Sequence, residues 1–255
     1  MAPLDEATLL TLRHHPERVT TWGDNRGFGL LVDRELSLLV LPHHRGTGLG
    51  KRLLREAPEG PLTAWSHGDH PAAAALAAAH GWRRERELWV MRRPAAGLPP
   101  LGPAPAGVEL RGFRADDPHD AEELLRVNAA AFAHHPEQGS LDASGLAERM
   151  AEPWFDAAGL IEAWDTASGA LLGFHWTKRH SADLGEVYVV GISPDAQGRG
   201  LGKLLTLAGL HHLADAGVRE IHLYVEADNE PAVRLYSGLG FTHMQADTHV
   251  QYARD

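Results

Sequence analysis

The pattern of apolar and polar positions in the second half of the chain changes period several times. Residues 186–193, Glu-Val-Tyr-Val-Val-Gly-Ile-Ser, form an apolar run rich in β-branched side chains, which predicts a strand. A glycine-rich turn follows, and from 201 to 214 the apolar residues recur at helical spacing. The pattern then predicts a strand at 220–226, a helix at 230–239 and a final strand after Gly240. Upstream it predicts a strand near 108–113, helices around 121–131 and 141–150, and strands near 159–164 and 171–177. Strands alternating with helices in this way imply an α/β (α+β) fold.

The first half repeats the second in shortened form. Leu39-Val40-Leu41-Pro42 and Arg45-Gly46-Thr47-Gly48-Leu49-Gly50-Lys51 match Gly191-Ile192-Ser193-Pro194 and Gln197-Gly198-Arg199-Gly200-Leu201-Gly202-Lys203 at an offset of 152. Farther along, 69–82 matches 228–241 at an offset of 159. Two matches in the same order, separated by a seven-residue deletion, indicate an internal duplication. Between the copies lies a segment with prolines at 94, 99, 100, 103 and 105, a composition that favours a linker over a helix or a central strand. The expected organisation is a domain over 1–98, a proline-rich linker over 99–107 and a second domain over 108–255.

Composition narrows the class. The chain has 255 residues, 44% hydrophobic and 23% charged, an ordinary globular mixture. Its net charge of −10 is unevenly placed: residues 1–98 carry thirteen Lys and Arg against eleven Asp and Glu, and the rest eleven against twenty-three. An acidic second half argues against nucleic-acid binding. The absence of cysteine removes disulfides, thiolate zinc sites and cysteine nucleophiles. No apolar run is long enough to span a membrane, and Asp5 and Glu6 stand where a signal peptide needs a basic start, so a cytoplasmic protein is expected. The histidine pairs 14/15, 43/44, 134/135 and 211/212 point apart on regular elements and no HExxH occurs, so no metal is expected.

A strand that ends in a glycine turn and feeds a helix directs free backbone N–H groups and the positive helix end at one point, which suits a phosphate. Gly198, Gly200 and Gly202 have neither the GxGxxG spacing of a dinucleotide fold nor the GK[ST] ending of a Walker A loop, since Leu204 follows Lys203. What remains is Q/R-x-x-G-x-G, present as Gln197/Gly200/Gly202 and as Arg45/Gly48/Gly50.

That turn, together with Asp228-Asn229-Glu230-Pro231-Ala232-Val233-Arg234-Leu235-Tyr236 and the Gly240-Phe241 beyond it, resembles the GCN5-related N-acetyltransferase (GNAT) family. The strings His135-Pro136-Glu137-Gln138-Gly139, Gly173-Phe174-His175-Trp176-Thr177-Lys178 and Gly185-Glu186-Val187-Tyr188 are similar to its two-repeat branch, which acetylates the cysteinyl amine of cysteinyl-glucosaminyl-inositol in the last step of mycothiol synthesis. The resemblance spans about 108–250. It implies two tandem GNAT-like domains, each a mixed central sheet flanked by helices, with acetyl-CoA as co-substrate, a small-molecule amine as acceptor and a monomeric state.

The same resemblance nominates residues. Glu186 is the candidate base and Tyr236 the candidate acid for the departing thiolate. Val190, Gly191 and Ile192 are expected to pair with the pantetheine amides, with Gly191 marking a bulge. Gln197, Gly198, Arg199, Gly200, Leu201, Gly202 and Lys203 take the pyrophosphate. Asn229, Glu230, Pro231, Ala232, Val233 and Arg234 take the thiol end. Leu39, Val40, Leu41, Gly46, Thr47, Gly48, Leu49 and Gly50 are the matching positions of the first copy. Glu6, Glu137, Lys178, Glu186 and Tyr224 are nominated for the acceptor. The repeat offsets set Arg34 opposite Glu186 and Ala77 opposite Tyr236, so the first copy is expected to be catalytically silent. Two further readings stay open on the residues alone: acetylation of another small-molecule amine, and a non-catalytic acetyl-CoA-binding module.

Overall fold

A computed structural model describes residues 4–133 and 138–255. In chain order the elements are α1 (Glu6–His14), β1 (Val19–Asp24), β2 (Gly27–Val32), β3 (Glu35–Val40), α2 (Leu49–Glu56), β4 (Leu62–Ser66), α3 (Pro71–Ala79) and β5 (Arg83–Pro94). They continue with β6 (Val108–Gly112), α4 (Pro118–Ala131), α5 (Ala143–Met150), β7 (Leu160–Asp165), β8 (Leu171–Arg179) and β9 (Leu184–Ile192). The chain ends with α6 (Leu201–Asp215), β10 (Glu220–Glu226), α7 (Glu230–Gly238) and β11 (Thr242–Arg254). The chain divides into two compact units, Met1–Val90 with Val225–Glu230 and His243–Asp255, and Met91–Tyr224 with Pro231–Thr242.

The first unit orders its strands β1-β2-β3-β4-β11. All neighbours run antiparallel except β3 and β4, which are parallel because α2 carries the chain back between them. Leu36, Leu54, Leu62, Ala77, Trp82, Val250 and Tyr252 form its core, so the end of the chain completes this unit.

The second unit orders β10-β9-β8-β7-β6, again antiparallel except for one parallel pair, β9 and β10, joined across α6. One core cluster gathers Leu124, Val127, Leu160, Phe174 and Trp176, and another gathers Ala163, Leu201 and Leu205. Burying each of the leucine, valine and phenylalanine side chains stabilises the fold by about 1.5–3 kcal/mol relative to leaving it exposed. The proline-rich segment is held to this unit: Ala95 N–H donates to Arg219 C=O at 2.9 Å, and Pro99 C=O lies 2.9 Å from His211 Nε2.

The duplication is visible in element lengths. Helix α6 has fifteen residues and α2 has eight, a difference equal to the seven residues by which the repeat offset changes. The deletion therefore shortens the helix behind the glycine turn and leaves the turn intact.

Candidate active site

Each glycine turn is built in the same way. Pro194–Ala196 forms a single 3-10 turn after β9, as Pro42–His44 does after β3. Gly198 and Gly200 then take φ of +77°, and Gly46 and Gly48 take +74° and +85°, left-handed backbone that L side chains resist. Gly200 and Gly48 are the N-caps of α6 and α2, and neither helix has a side-chain cap. By contrast α1, α3, α4 and α5 are capped by the side chains of Asp5, His70, Asp117 and Asp142. The two glycine-capped helices alone among these six keep their first N–H groups for something else, and open space lies around Gly198 and Gly200. Such a cradle fits the pyrophosphate of acetyl-CoA, and the exposed Arg199 and Lys203 add positive charge beside it.

Strand β9 runs from this cradle back to Glu186. Its register against β8 is regular from Gly173↔Ile192 to Trp176↔Val189 and then shifts, so that Thr177 faces Val187 and Tyr188 is the extra residue. The expected bulge is thus at Tyr188 and not at Gly191. Gly191 is needed for another reason: it sits in regular register with Phe174, and a Cβ there would meet the Phe174 ring at 2.6 Å. The parallel ladder with β10 runs from Glu220↔Leu184 to Leu223↔Val187, so Val190, Gly191 and Ile192 lie beyond its last pair.

Register places Lys178 of β8 and His222 of β10 on either side of Glu186. The Glu186 side chain is 8% exposed; its Oε2 is 2.5 Å from Nε2 of His180 and 3.7 Å from Nε2 of His222. Burial by itself would raise the carboxyl pKa, but the two imidazoles outweigh it and hold the group at about 2, so Glu186 is an anion. The rings of His180 and His222 lie 5.1 Å apart, and His222 meets Tyr224 edge-on at 5.6 Å. His180, Glu186 and His222 are the one group among the described residues whose donor atoms cluster as metal ligands do. A separation of 2.5 Å is that of a hydrogen bond; two ligands on one tetrahedral zinc stand about 3.3 Å apart. Among the described residues no clear metal site is present.

Lys178 is buried, with Nζ 4.5 Å from the Trp154 ring centre and 5.3 Å from that of Tyr188. It is not a surface charge. Tyr224 is 44% exposed beside His222. Tyr236 lies on α7, packed edge-on against Phe241 at 5.9 Å, and burial pushes its phenol up to about 12, keeping it protonated. Leu235, its neighbour, lies against Gly202, which fixes α7 beside the cradle. Asn229 and Glu230 group with the first unit, whereas Pro231, Ala232, Val233 and Arg234 group with the second. Glu6 opens α1 in the first unit, and Glu137 lies outside the described residues.

In the first unit Leu39 and Val40 pair with Phe28 and Gly27 of β2, and Leu41 is exposed. Arg34 is exposed and donates from Nε to Pro61 C=O, and Ala77 is buried in the core. No proton-transfer side chain stands at either position.

Sequence reasoning missed His180 and His222. They belong to no histidine pair, and only the pairing register of β8, β9 and β10 brings them to Glu186. The signal available was the hairpin Arg179-His180-Ser181-Ala182-Asp183-Leu184, which returns the chain on itself six residues before Glu186.

The described acetyltransferase (GNAT) family pattern matches residues 128–241. A mycothiol acetyltransferase of a Nocardioides species is 63% identical over 99% of this chain and 92% of its own length. Among solved structures, a GCN5-related N-acetyltransferase from Sphaerobacter thermophilus aligns with TM-score 0.72 and 25% identity over 90% of this chain and 76% of that one. A tandem GNAT protein from the clavulanic acid biosynthesis pathway aligns with TM-score 0.67 and 22% identity over 97% and 86%, a likeness of fold. With the duplicated glycine cradles and mixed sheets already in place, near-full-length identity at this level decides the matter: the chain belongs to the mycothiol acetyltransferase family, a tandem branch of the GNAT fold.

Proposed function

We propose that this protein transfers the acetyl group of acetyl-CoA to the cysteinyl amine of 1D-myo-inositol 2-(L-cysteinylamino)-2-deoxy-glucopyranoside, the last step of mycothiol biosynthesis. The observation that carries this reading is the pairing, in the second copy alone, of an uncapped glycine cradle with a buried anionic carboxylate, Glu186. The carboxylate attracts an ammonium, and the cradle holds a pyrophosphate by backbone dipoles without needing a cationic pocket.

Residues 1–98 form the shortened, silent copy, 99–107 the connection and 108–255 the catalytic copy. Gln197 to Lys203 hold the pyrophosphate. The backbone of Val190 to Ile192 pairs with pantetheine, and Asn229 to Arg234 flank the thiol end. Deprotonation of the amine depends on the Glu186 centre. Tyr236, a phenol that stays protonated, returns a proton to the departing thiolate. Lys178, Tyr224, Glu137 and Glu6 supply polar contacts for the sugar and inositol hydroxyls. Among the described residues no helix is long and apolar enough to cross a membrane. The proposed setting is the cytoplasm, where acetyl-CoA is supplied. The proposed state is a monomer, because the duplication already provides two copies of the fold.

Incubating the purified protein with acetyl-CoA and cysteinyl-glucosaminyl-inositol, and following product by mass, tests the reading. Gain of one acetyl group on the cysteinyl nitrogen supports it. Turnover of a different amine in place of this acceptor would redirect the assignment, and acetyl-CoA binding without turnover of any amine would make the protein a binding module.

A further inference from the structure

The Glu186 centre holds more than a carboxylate. His180 ends the β8 side of the β8–β9 hairpin, where its backbone N–H donates to Leu184 C=O at 2.9 Å. That closure turns its ring toward Glu186, with Nε2 at 2.5 Å from Oε2. Glu186 is 8% exposed and His222 6%, whereas the His180 side chain is 35% exposed. One imidazole therefore joins the buried carboxylate to solvent.

At 2.5 Å a proton must lie between the two atoms, since a bare nitrogen lone pair would repel a carboxylate oxygen. With Glu186 anionic, Nε2 carries that proton. The neutral ring then has its lone pair on Nδ1, the nitrogen turned away from the carboxylate. An imidazole whose tautomer is fixed by a buried carboxylate is the arrangement that lets a histidine take a proton and be stabilised as a cation. A carboxylate so strongly held as an anion is, by the same contact, a poor place for a proton to rest.

We propose that His180 is the general base of the acetyl transfer and that Glu186 is its orienting partner. This rests on the reading of the protein as an amine acetyltransferase. The ammonium of the acceptor loses a proton to His180 Nδ1, and the freed nitrogen lone pair attacks the thioester carbonyl. The adduct collapses as the C–S bond breaks. The second proton of the former ammonium passes to the thiolate, with Tyr236 as intermediary, giving the amide and CoA–SH. The imidazolium returns its proton to solvent through its exposed edge. His222, packed against the His180 ring and buried under Tyr224, holds the pair in place and is a positioning residue.

Other titratable groups on the surrounding strands and their turn are His175, Lys178 and Arg179 on β8, Asp183 in the turn, Tyr188 on β9, and Glu220, Tyr224 and Glu226 on β10. Asp183 is tied to Arg219 at 2.6 Å and Lys178 is held over Trp154, so neither competes for the 2.5 Å contact.

The test is kcat against pH for acetylation of cysteinyl-glucosaminyl-inositol by the full chain, for the wild type, His180→Gln and His180→Ala. The expected wild-type profile has an acid limb, below which the base is already protonated. Expected for His180→Gln is a loss of about 10²-fold at neutral pH together with disappearance of that limb. Added imidazole should restore part of the rate to His180→Ala, which a merely structural role would not allow. Unchanged kcat and an unchanged acid limb in His180→Gln would overturn the proposal. So would a thermally stable His180→Ala that is slow but indifferent to imidazole. If the wild type itself does not acetylate this amine, the functional reading fails first, which separates the two failures.

Discussion

Leu235 lies 3.8 Å from where a side chain on Gly202 would begin, and in the other copy Leu76 lies 3.8 Å from the same point on Gly50. The two pairs are related by the repeat offsets, and so are the residues on the opposite side, Ile192 at 4.0 Å and Val40 at 3.8 Å. The duplicated architecture is therefore preserved down to the packing of single side chains around each glycine turn. What separates the copies is chemistry: Glu186 and Tyr236 in one, Arg34 and Ala77 in the other.

The glycine turns should respond unequally to substitution. Gly200 holds φ +77° at the mouth of α6, and Ala there costs about 1–2 kcal/mol of backbone strain while turning N–H groups out of line. Steady-state kinetics of Gly200→Ala should show KM for acetyl-CoA raised about tenfold or more. Gly48→Ala carries similar strain at φ +85°, so its Tm should fall, with kcat little changed. A collapse of kcat in Gly48→Ala would contradict the silence of the first copy.

Removing the proposed orienting carboxylate or the proposed acid should slow chemistry rather than binding. Glu186→Ala and Tyr236→Phe are each expected to lower kcat by about 10² or more, with KM for acetyl-CoA nearly constant. Tyr236→Phe keeps the edge-on contact with Phe241, so its thermal unfolding should match the wild type. Wild-type kcat in both variants would remove these residues from the reaction.

Glu162 predicts a pH effect on stability. It is fully buried beneath Arg111, which donates from Nη1 to Glu162 Oε2 at 3.0 Å while its guanidinium also meets Asp120 at 2.5 and 2.7 Å, so one cation is shared between two carboxyl groups. Burial pushes its carboxyl up to about 8; the Trp164 indole hydrogen bond and the Arg111 charge oppose the shift, and Asp120 adds to it. The folded protein thus holds a proton that the unfolded chain releases near its ordinary value of 4.5. Stability from this group is complete below about pH 4.5 and declines as pH rises toward 8, by an amount on the order of a few kcal/mol. Glu162→Gln mimics the protonated form, so denaturant melts at pH 5 and pH 8 should differ less than in the wild type. An equal or larger difference would show that Glu162 is ionised in the fold.

Gly209 meets His175 in the interior of the second unit. A Cβ at 209 would stand 2.1 Å from His175 Nδ1, and that ring is fixed because Nδ1 lies 2.8 Å from Leu205 C=O. Gly209→Ala should destabilise by about 3 kcal/mol, through overpacking. Adding His175→Ala opens the space, so the double variant should be more stable than the sum of the single changes allows, measured by a double-mutant cycle in urea.

Much of the molecule was written along the chain. Helix and strand periodicity located β10 at Glu220–Glu226 to the residue and α6 within one residue, because both are long segments whose apolar spacing matches one period. The glycine turns and the duplication were equally legible, since left-handed backbone needs glycine and a repeat needs only the order of residues. Pairing register decided the rest. A one-residue shift at Tyr188, not at Gly191, sets which β9 side chains face each neighbour, and no local pattern announces it. Register also brought His180 and His222 to Glu186 from positions six before and thirty-six after it, and buried Lys178 under Trp154. The sequence by itself determined the elements and the glycine turns, which depend on neighbours along the chain. Only the tertiary structure decided the grouping of His180, Glu186 and His222, because these side chains meet across strands, where register and burial rather than residue order bring them together.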